Sequence, residues 1–583
     1  MSLRKIMSNK PNLQNISKLG CFMLLPDFQS LTISGPDVKT FLQAQLTNDL
    51  TQLDRGFSQK QAILNRQAQI QTLFTLYNCS SNETLAFKLI APLESIQQTD
   101  TILAKQIFNA KVKLTVDPDS EYLLIQGLNF LDAIAYALNL NLYDTVKLFS
   151  DHCGIFNMLE TEISYYKEEY FNDTTIILAI PAKKLAEIYD YLSTILLKFN
   201  MIQVNLADWQ NMFVEWGYPQ FDVDFNQQNN LLETSLDHDY VSFNKGCFPG
   251  QEFLTRVKTH NSVARAMFGI ILNENLEVKL NYTGAKLIID NNEIGEITSY
   301  TYSSMLNKFV CLTLLNKEYR INDKVIKFTL KTGDYLKQFS GTTSRLPFLK
   351  TNANSQANFL VNQAVKKYLN TKDVNEINHA INLLTKALYL DPHNEDTYES
   401  LAVILDKNDR LDEAIKVIQD LIKINPDSVM AHTNLSIFYM QKGFIELAEN
   451  EKAISTTLRM TAAVKDMKPA IRDQSETKRR LNMFLEVLAI DNNDPLANIG
   501  AGSCFYELEK FTEAIPYLLK NLSFKPNNLD AYLTLTQCYL KIANYRQAED
   551  FIQRGLILAN QKNDLAKINS FEILSNQIKN SNV

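Results

Sequence analysis

Several motifs that mark common enzyme classes are absent from the sequence. It contains no G-x-x-x-x-G-K-[ST], no G-x-G-x-x-G and no H-E-x-x-H, so it predicts neither a phosphate-cradling loop nor the helical zinc site of metalloproteases. Its 7 cysteines lie far apart without a C-x-x-C pair, and its 6 histidines are dispersed. We therefore expect no metal site, and the odd, scattered cysteines are typical of a reducing cytoplasm.

Positive charge and long apolar runs are also scarce. The formal net charge is -7, which argues against a broad electrostatic grip on nucleic acid because such binding needs clustered basic surface. No run of 18 apolar residues occurs, and no apolar stretch of signal-peptide length follows the basic start of the chain. We expect a cytoplasmic protein that touches neither nucleic acid nor membrane directly.

The chain is too long for a single hydrophobic core. At 583 residues it should divide into several domains of ordinary size. Shifts in hydrophobic period and polarity predict a polar tail at 1–19, an α+β region at 20–262, a small β-barrel at 263–346, a polar linker at 347–357 and a helical repeat domain at 358–578.

Reactive side chains concentrate in residues 244–256, where Cys247 lies between two glycines. Pro249 and Gly250 predict a turn that would present the sulfur at a bend. The ammonium of Lys245 would favour the thiolate if it approached the sulfur. A second interpretation stays open on these residues alone, namely a buried, inert cysteine in a glycine turn.

This run resembles the K-G-C-[YF]-x-G-Q-E-x-x-x-R signature of the YgfZ family, folate-binding relatives of the glycine-cleavage T-protein. The resemblance implies upkeep of iron–sulfur enzymes, including tRNA-thiolating ones, with Cys247 and Lys245 as the functional residues. It implies a tetrahydrofolate or a derivative as cofactor. The other fixed positions, which would support the site, are met by Gly246, Phe248, Gly250, Gln251, Glu252 and Arg256.

A second stretch matches the opening of the same family. Residues 24–35 predict one strand that ends at Ser34-Gly35, and Asp37 precedes a helix at 38–46 that leads into Thr47-Asn48-Asp49. By this resemblance the candidate folate-binding residues are Asn48, Asp49, Phe28 and Trp209, the last of which could instead be a core aromatic. One departure is Gln67-Ala68-Gln69, where the family commonly has a lysine-glycine-arginine turn.

The region before the linker predicts a T-protein-like α+β fold with a small barrel. Short β-prone runs at 264–272, 285–289, 293–299, 308–313 and 324–330 are separated by Asn, Gly and Asp turns, which is typical of a barrel. The run from Ile294 to Ser299 resembles the I-G-x-x-T-S element of the terminal barrel in this superfamily.

After the linker the sequence repeats every 34 residues, as the prolines at 392 and 426 show. Alanines recur at 380, 414, 448, 514 and 548, with 66 residues between the third and the fourth, which predicts one degenerate or elongated repeat. The pattern resembles tetratricopeptide repeats and implies an all-α solenoid that binds a protein or peptide partner.

Three hypotheses follow. The first is a folate-binding accessory protein that maintains or repairs client iron–sulfur enzymes through Cys247, with the repeats choosing a protein partner. The second is a folate-dependent aminomethyl or one-carbon transferase, against which the K-G-C signature speaks. The third is a non-catalytic repeat scaffold, against which the intact signature speaks.

Overall fold

The structure is a computed structural model that describes residues 19–348 and 353–562, except 171–172, 261, 278 and 467–473, together with isolated residues before and after these ranges. Within those residues, no helix combines the length and apolarity that crossing a membrane requires. Most of the predicted polar tail lies outside the described residues, although Ile16 is buried in a hydrophobic cluster with Cys21 and Met23.

Two open β-sheets form the α+β region. Their strands are β1 Cys21–Leu25, β2 Phe28–Ser34, β3 Ser58–Leu64, β4 Ile70–Asn78, β5 Ala86–Pro92, β6 Lys113–Asp117, β7 Ser120–Gln126, β8 Cys153–Met158, β9 Thr161–Tyr170, β10 Asp173–Pro181 and β11 Ile202–Gln203. A five-stranded sheet has the order β3-β4-β5-β2-β6, and a six-stranded sheet has the order β11-β1-β7-β10-β9-β8. The strands pair antiparallel except β1 with β11.

The predicted single strand at 24–35 is wrong, because the chain turns between β1 and β2. Asp27 adopts φ of 57°, a left-handed conformation that Asp tolerates better than most residues. The turn sends the chain from one sheet to the other, since β1 pairs with β7 while β2 pairs with β5. The segment that was predicted as one strand therefore serves two sheets.

Helices cover both sheets, and two of them carry the candidates Trp209, Gln251, Glu252 and Arg256. They are α1 Val38–Gln45, α2 Leu93–Ala104, α3 Asn129–Leu138, α4 Leu142–Leu148, α5 Leu185–Lys198, α6 Leu206–Trp216, α7 Asp237–Tyr240 and α8 Gln251–Thr259. Phe130 of α3 and Leu192 of α5 are fully buried in one cluster with Leu178 of β10. Leu42 of α1 is fully buried against the other sheet, in a cluster with Leu31 and Leu76.

A closed barrel follows, as the sequence predicts. Its strand order is β12-β15-β14-β13-β16-β17, which includes a sixth strand that the predicted β-prone runs did not contain. The strands are β12 Arg265–Leu272, β13 Lys286–Ile289, β14 Asn292–Ser303, β15 Lys308–Asn316, β16 Val325–Thr332 and β17 Tyr335–Ser344. Closure of the barrel pairs the edges of β12 and β16 with β17.

The rest of the described chain is helical, which confirms the predicted all-α repeat region. The helices are α9 Ala353–Leu369, α10 Val374–Leu390, α11 Glu395–Asp406, α12 Leu411–Ile424, α13 Val429–Gln441, α14 Ile445–Asp466, α15 Gln474–Ile490, α16 Pro495–Glu507, α17 Phe511–Phe524, α18 Leu529–Lys541 and α19 Tyr545–Gln561. The predicted degenerate repeat spans α14 and α15 and partly lies outside the described residues.

The sequence period reappears as repeated local geometry. Asn394 and Ser428, 34 positions apart, each cap the helix that follows by accepting a backbone N–H. Asp494 and Asn528 repeat this pair. The recurring alanines are all fully buried, because helices of neighbouring pairs cross where only a small side chain fits. They are Ala380, Ala414, Ala448, Ala514 and Ala548.

The first compact unit of the chain runs to Glu451, and a second runs from Lys452. The predicted linker at 347–357 therefore lies within the first unit, and the predicted domain limits stay a prediction. The α+β region contacts the first repeats through Asp420 of α12, which accepts hydrogen bonds from Tyr143 at 3.0 Å and Lys147 at 2.7 Å. Tyr389 of α10 packs its ring edge-on to Phe130, with centroids 5.7 Å apart.

Candidate functional site

The cysteine signature folds as a turn that leads into α8. Gly250 has φ of 84°, and an added Cβ there would lie 2.6 Å from the carbonyl oxygen of Asn65 and 2.8 Å from Cα of Ala68. Glycine is therefore required both by conformation and by close approach to the turn before β4. Ala68 itself adopts φ of 59°, the left-handed region that suits the glycine of the family turn better than alanine.

Cys247 is exposed, whereas the other cysteines are buried or half-buried. The alternative of a buried, inert cysteine is therefore not what the structure shows. The residue lines an open cavity of 470 Å³ beside α1, with Lys39, Thr40, Gln43, Ala44, Thr51 and Gly246. Nothing lies within 4 Å of a Cβ added at Gly246, so the turn leaves room around the thiol.

Lys245 points beneath the turn that follows α1. Its Nζ donates to the carbonyl oxygens of Gln43 at 2.7 Å, Leu46 at 2.5 Å and Asn48 at 3.0 Å. These bonds use all the donors of an ammonium group. Burial lowers the pKa of Lys245 to about 8, an effect that the charge of Asp49 opposes. The described bonds of the ammonium thus go to backbone carbonyls rather than to the thiol of Cys247.

A larger cavity of 620 Å³ lies between the sheets and the segment that precedes the signature. This volume suits a small organic ligand. Most of its lining residues carry polar side chains, and they come from distant parts of the chain: Asn48, Ser58, Gln59, Lys60, Thr75, His152, Lys167, Glu168, Gly217, Tyr218, Pro219, Thr234, Ser235, Leu236, His238, Asp239, Leu346 and Pro347.

A buried carboxylate is fixed in the wall of the large cavity. Glu168 is 5% exposed and accepts hydrogen bonds from Thr75 Oγ1 at 2.9 Å and Tyr77 OH at 2.8 Å. Both donors come from β4, so the carboxylate joins the two sheets at the cavity. Such a group can orient a ligand that carries N–H donors.

Positive charge also reaches this cavity. Lys60 Nζ lies 3.5 Å from a carboxylate oxygen of Asp239, and Ser58 Oγ lies 2.8 Å from His152 Nδ1. Because Lys60 remains 23% exposed, it can meet an anionic group that enters from solvent. The cavity therefore offers both an anionic and a cationic side chain.

The segment 43–51 separates the two cavities. Asn48 lines the large cavity, and its Nδ2 donates to the carbonyl oxygens of Lys60 and Asp239. Gln43 and Thr51 line the cavity of Cys247. Lys245 binds carbonyl oxygens of this segment from Gln43 to Asn48. It therefore connects the signature with residues that line each cavity.

The candidate folate residues occupy different places. Asp49 accepts hydrogen bonds from Thr51 and Gln43, and the Thr51 bonds hold its pKa below the usual range. Trp209 is 5% exposed and packs edge-on to Phe213, while half-buried Phe28 lies against the same hydrophobic cluster. Tyr218, which lines the large cavity, also packs on that cluster. Of the four candidates, Asn48 is the one in the cavity lining.

The remaining signature residues support the turn in different ways. Phe248 is buried, and the Nζ of Lys245 lies 5.5 Å from its ring centroid. Gln251 donates to the carbonyl oxygen of Lys245 at 3.4 Å. Glu252 and Arg256 form a 3.3 Å ion pair at the surface, where both side chains are mostly exposed, and such pairs add little stability.

Sequence reasoning missed most of the large cavity. Lys60 and Glu168 both lie in the predicted α+β region at 20–262, but neither has a local signal of its own. Tyr218 lies between Gly217 and Pro219, two turn-forming residues that also line the cavity. That turn is the one sequence feature that could have indicated the cavity wall.

Comparisons with known proteins agree with this architecture. The family model described as tetratricopeptide repeat matches residues 375–437 and 505–568. An aminomethyltransferase from Thermotoga maritima is 23% identical over 294 residues, which cover 50% of this chain and 77% of that protein. The tRNA-modifying protein YgfZ from Serratia proteamaculans is 26% identical over 255 residues, which cover 42% of this chain and 68% of that protein.

Among solved structures, the aminomethyltransferase T of the glycine cleavage system from Bartonella henselae superposes with a TM-score of 0.50 at 17% identity. The match covers 58% of this chain and 89% of that one. This likeness gives the fold, and the signature around Cys247 gives the YgfZ resemblance within it. The chain is thus a YgfZ-like, aminomethyltransferase-like region fused to C-terminal tetratricopeptide repeats.

Proposed function

We propose that this chain is a folate-binding accessory protein that supports iron–sulfur enzymes, including tRNA-modifying ones, through the thiol of Cys247. The observation that carries the proposal is the placement of the signature. Its cysteine is the exposed one among 7, and Lys245 fixes the segment that separates the thiol from the large cavity. A ligand in that cavity and a client at the thiol would share one wall.

The large cavity is the proposed folate site. A reduced folate has a flat ring with N–H donors at one end and glutamate carboxylates at the other. Glu168 supplies a fixed acceptor for such donors, and Lys60 supplies a cation for such carboxylates. Asn48 ties the segment 43–51 to Lys60 and Asp239 beside this cavity. Tyr218, which packs on the aromatic cluster of Trp209 and Phe28, lines another part of it.

The repeats are proposed to bind a protein partner with the first helices of their pairs. The first repeats are the helix pairs α9–α10, α11–α12 and α13–α14. The second helices α10 and α12 contact the α+β region through Tyr389 and Asp420. On α13, a first helix, the half-exposed Met430, Ile437 and Met440 share one face. Apolar side chains on one helix face suit an amphipathic peptide.

Replacement of Cys247 by serine tests the role of the thiol. Serine nearly preserves the volume but does not ionise as a thiol does. We expect Cys247→Ser to fold and to bind tetrahydrofolate like the parent, yet to fail to restore iron–sulfur enzyme activity in cells that lack the protein. Full complementation by the variant would contradict the proposal.

A folate-dependent transferase is the second candidate, favoured by the similarity to aminomethyltransferases. A carboxylate at the cavity, as in Glu168 or Asp239, could move a proton in such a reaction. Formaldehyde transfer to tetrahydrofolate by the purified chain would separate the candidates. Turnover would favour the transferase, and binding without turnover would favour the accessory protein.

A further inference from the structure

Two cysteines from different sheets lie side by side, away from the signature. Cys79 directly follows β4 of the five-stranded sheet, and Cys153 begins β8 of the six-stranded sheet. Their Sγ atoms are 3.5 Å apart. A disulfide has an S–S bond of about 2.05 Å, so the sulfurs need to approach by about 1.5 Å.

The backbone already holds the two cysteine-bearing segments together. Gly56 donates its N–H to the carbonyl oxygen of Asn78 at 2.9 Å, and its own carbonyl oxygen accepts from Cys153 at 3.1 Å and from His152 at 2.7 Å. A single residue therefore ties the chain before Cys79 to the chain at Cys153. The sulfur contact is part of an ordered junction between the sheets.

The junction borders the large cavity. His152, next to Cys153, lines that cavity, as does Thr75 on β4. A covalent link between the cysteines would consequently fasten two walls of the cavity to each other. It would also close a loop of chain between positions 79 and 153.

The two thiols differ in reactivity. The contact with the Cys153 sulfur lowers the pKa of Cys79, and the charge of Lys88 lowers it further against the opposing effect of burial. The contact with Cys79 and burial raise the pKa of Cys153. Cys79 is half-buried while Cys153 is buried. The less buried of the two cysteine residues is thus also the one whose pKa is lowered, and a lowered thiol pKa favours reaction with peroxide.

We propose that Cys79 and Cys153 form a reversible disulfide when the protein meets a hydroperoxide. The Cys79 thiolate attacks one peroxide oxygen, the O–O bond breaks, and with hydrogen peroxide the leaving hydroxide takes up a proton to become water. The Cys153 sulfur then attacks the Cys79 sulfenic acid, the S–O bond breaks, and the Cys153 proton leaves with the hydroxyl as a second water. Two thiols are oxidised and one peroxide is reduced.

Peptide mapping of the full chain tests the proposal. The reduced protein is treated with hydrogen peroxide, its remaining thiols are alkylated, and it is digested without reductant for mass spectrometry. We expect a cross-linked pair of peptides that contain Cys79 and Cys153, and its loss after dithiothreitol. The same pair should form in Cys247→Ser, since that thiol takes no part. Recovery of both peptides alkylated or separately oxidised would overturn the proposal.

Trapping and thermal stability supply independent readouts. Cys153→Ser should leave Cys79 as a sulfenic acid that dimedone labels. Cys79→Ser should show no dimedone label at Cys153, because Cys153 does not attack the peroxide. A bond that closes so long a loop should raise the Tm of the oxidised Cys247→Ser protein by at least about 3 °C over its reduced form. An unchanged or lower Tm after oxidation would contradict a preformed junction.

Discussion

Lys245 links the chemistry of the signature to the packing beneath it. Its ammonium donates to three carbonyl oxygens between Gln43 and Asn48, where the backbone leaves α1 and has no helical partners of its own. The lysine therefore caps the carbonyl end of α1 in the segment that separates the two cavities. It acts on Cys247 by fixing the position of the turn that carries the thiol.

Loss of that cap should cost stability. Lys245→Met removes the donors and leaves buried carbonyls without them, so we expect a decrease of about 2–3 kcal/mol in the free energy of unfolding. Urea denaturation measures it, and Lys39→Met, on the open rim of the Cys247 cavity, is the matched control. A decrease below about 0.5 kcal/mol for Lys245→Met would contradict the role of a cap.

The deficit of Lys245→Met should also depend on pH. Burial lowers the pKa of Lys245 from 10.5 to about 8, so between these values the unfolded chain binds more protons than the folded one. The free energy of unfolding of the parent then rises with pH across this window relative to the methionine variant. Denaturation at pH 8 and pH 10 should show the deficit growing, and a shrinking deficit would contradict the sign.

At the scale of elements, α6 is fastened to the barrel by a buried carboxylate. Glu215 is 1% exposed, and its Oε1 accepts from Ser303 Oγ at 2.9 Å, Ser304 Oγ at 3.2 Å and the Met305 N–H at 3.3 Å. Burial raises the pKa of Glu215, although these bonds oppose it. Above its raised pKa, the ionised Glu215 carboxylate therefore lowers the free energy of unfolding relative to the protonated form.

Glu215→Gln should raise stability at neutral pH. Glutamine keeps the oxygen that accepts all of these bonds and removes the buried charge. Because the folded pKa is raised, the parent loses stability as pH rises above 4.5, the value for an unperturbed glutamate. We expect the Tm of the variant to exceed that of the parent by about 1–3 °C at pH 8 and by less at pH 5. The reverse order would contradict the assignment.

What the sequence could predict depends on how local the signal is. The repeat helices follow from a period of 34 that places caps and small residues at fixed offsets, and the turn at Cys247 follows from its glycines and proline. The break at Asp27 was missed although Pro26-Asp27 is a local turn signal, whereas the pairing of β1 and β2 with partners in two different sheets has no local signal. β17 was missed although it forms a hairpin with β16 through the two-residue turn Gly333-Asp334, which is itself a local hairpin signal.

The same distinction between local and long-range signals applies to the candidate site. Cys247 and Lys245 belong to a long local motif, so a functional role for them can be predicted from the sequence. The large cavity assembles side chains from Asn48 to Pro347, and no local pattern marks Lys60 or Glu168. Trp209, which the family resemblance assigns to folate, lies in the hydrophobic cluster beside Tyr218, and its role toward a ligand stays a prediction.

At the scale of the molecule, the α+β region and the first repeats share an interface. Burial raises the pKa of Asp420, but hydrogen bonds from Lys147 and Lys423 outweigh it, so its net pKa lies below the usual range. Lys416 and Asp144 form a further ion pair across it. The interface gives a physical reason for the linker to lie inside one compact unit.

A cut in residues 349–352, where we place a specific protease site, should therefore leave the two fragments associated during gel filtration. Asp420→Lys should separate them, because it sets a cation beside Lys147 and removes the acceptor of Tyr143. Asp412→Lys, on the same helix but with a mostly exposed side chain, should not. Separate elution of the parent fragments would contradict this interface. It would instead support separate domains joined by a polar linker, as the sequence predicts.

The central claim is that the large cavity binds a reduced folate, and calorimetric titration with tetrahydrofolate tests it most directly. We expect saturable binding by the parent protein. Lys60→Met should bind about 10-fold or more weakly, because a carboxylate of the ligand loses its cation. Lys184→Met should bind with the parent affinity, because Lys184 pairs with Glu187 at the surface. No saturable binding by the parent, or equal affinity in Lys60→Met, would contradict the account.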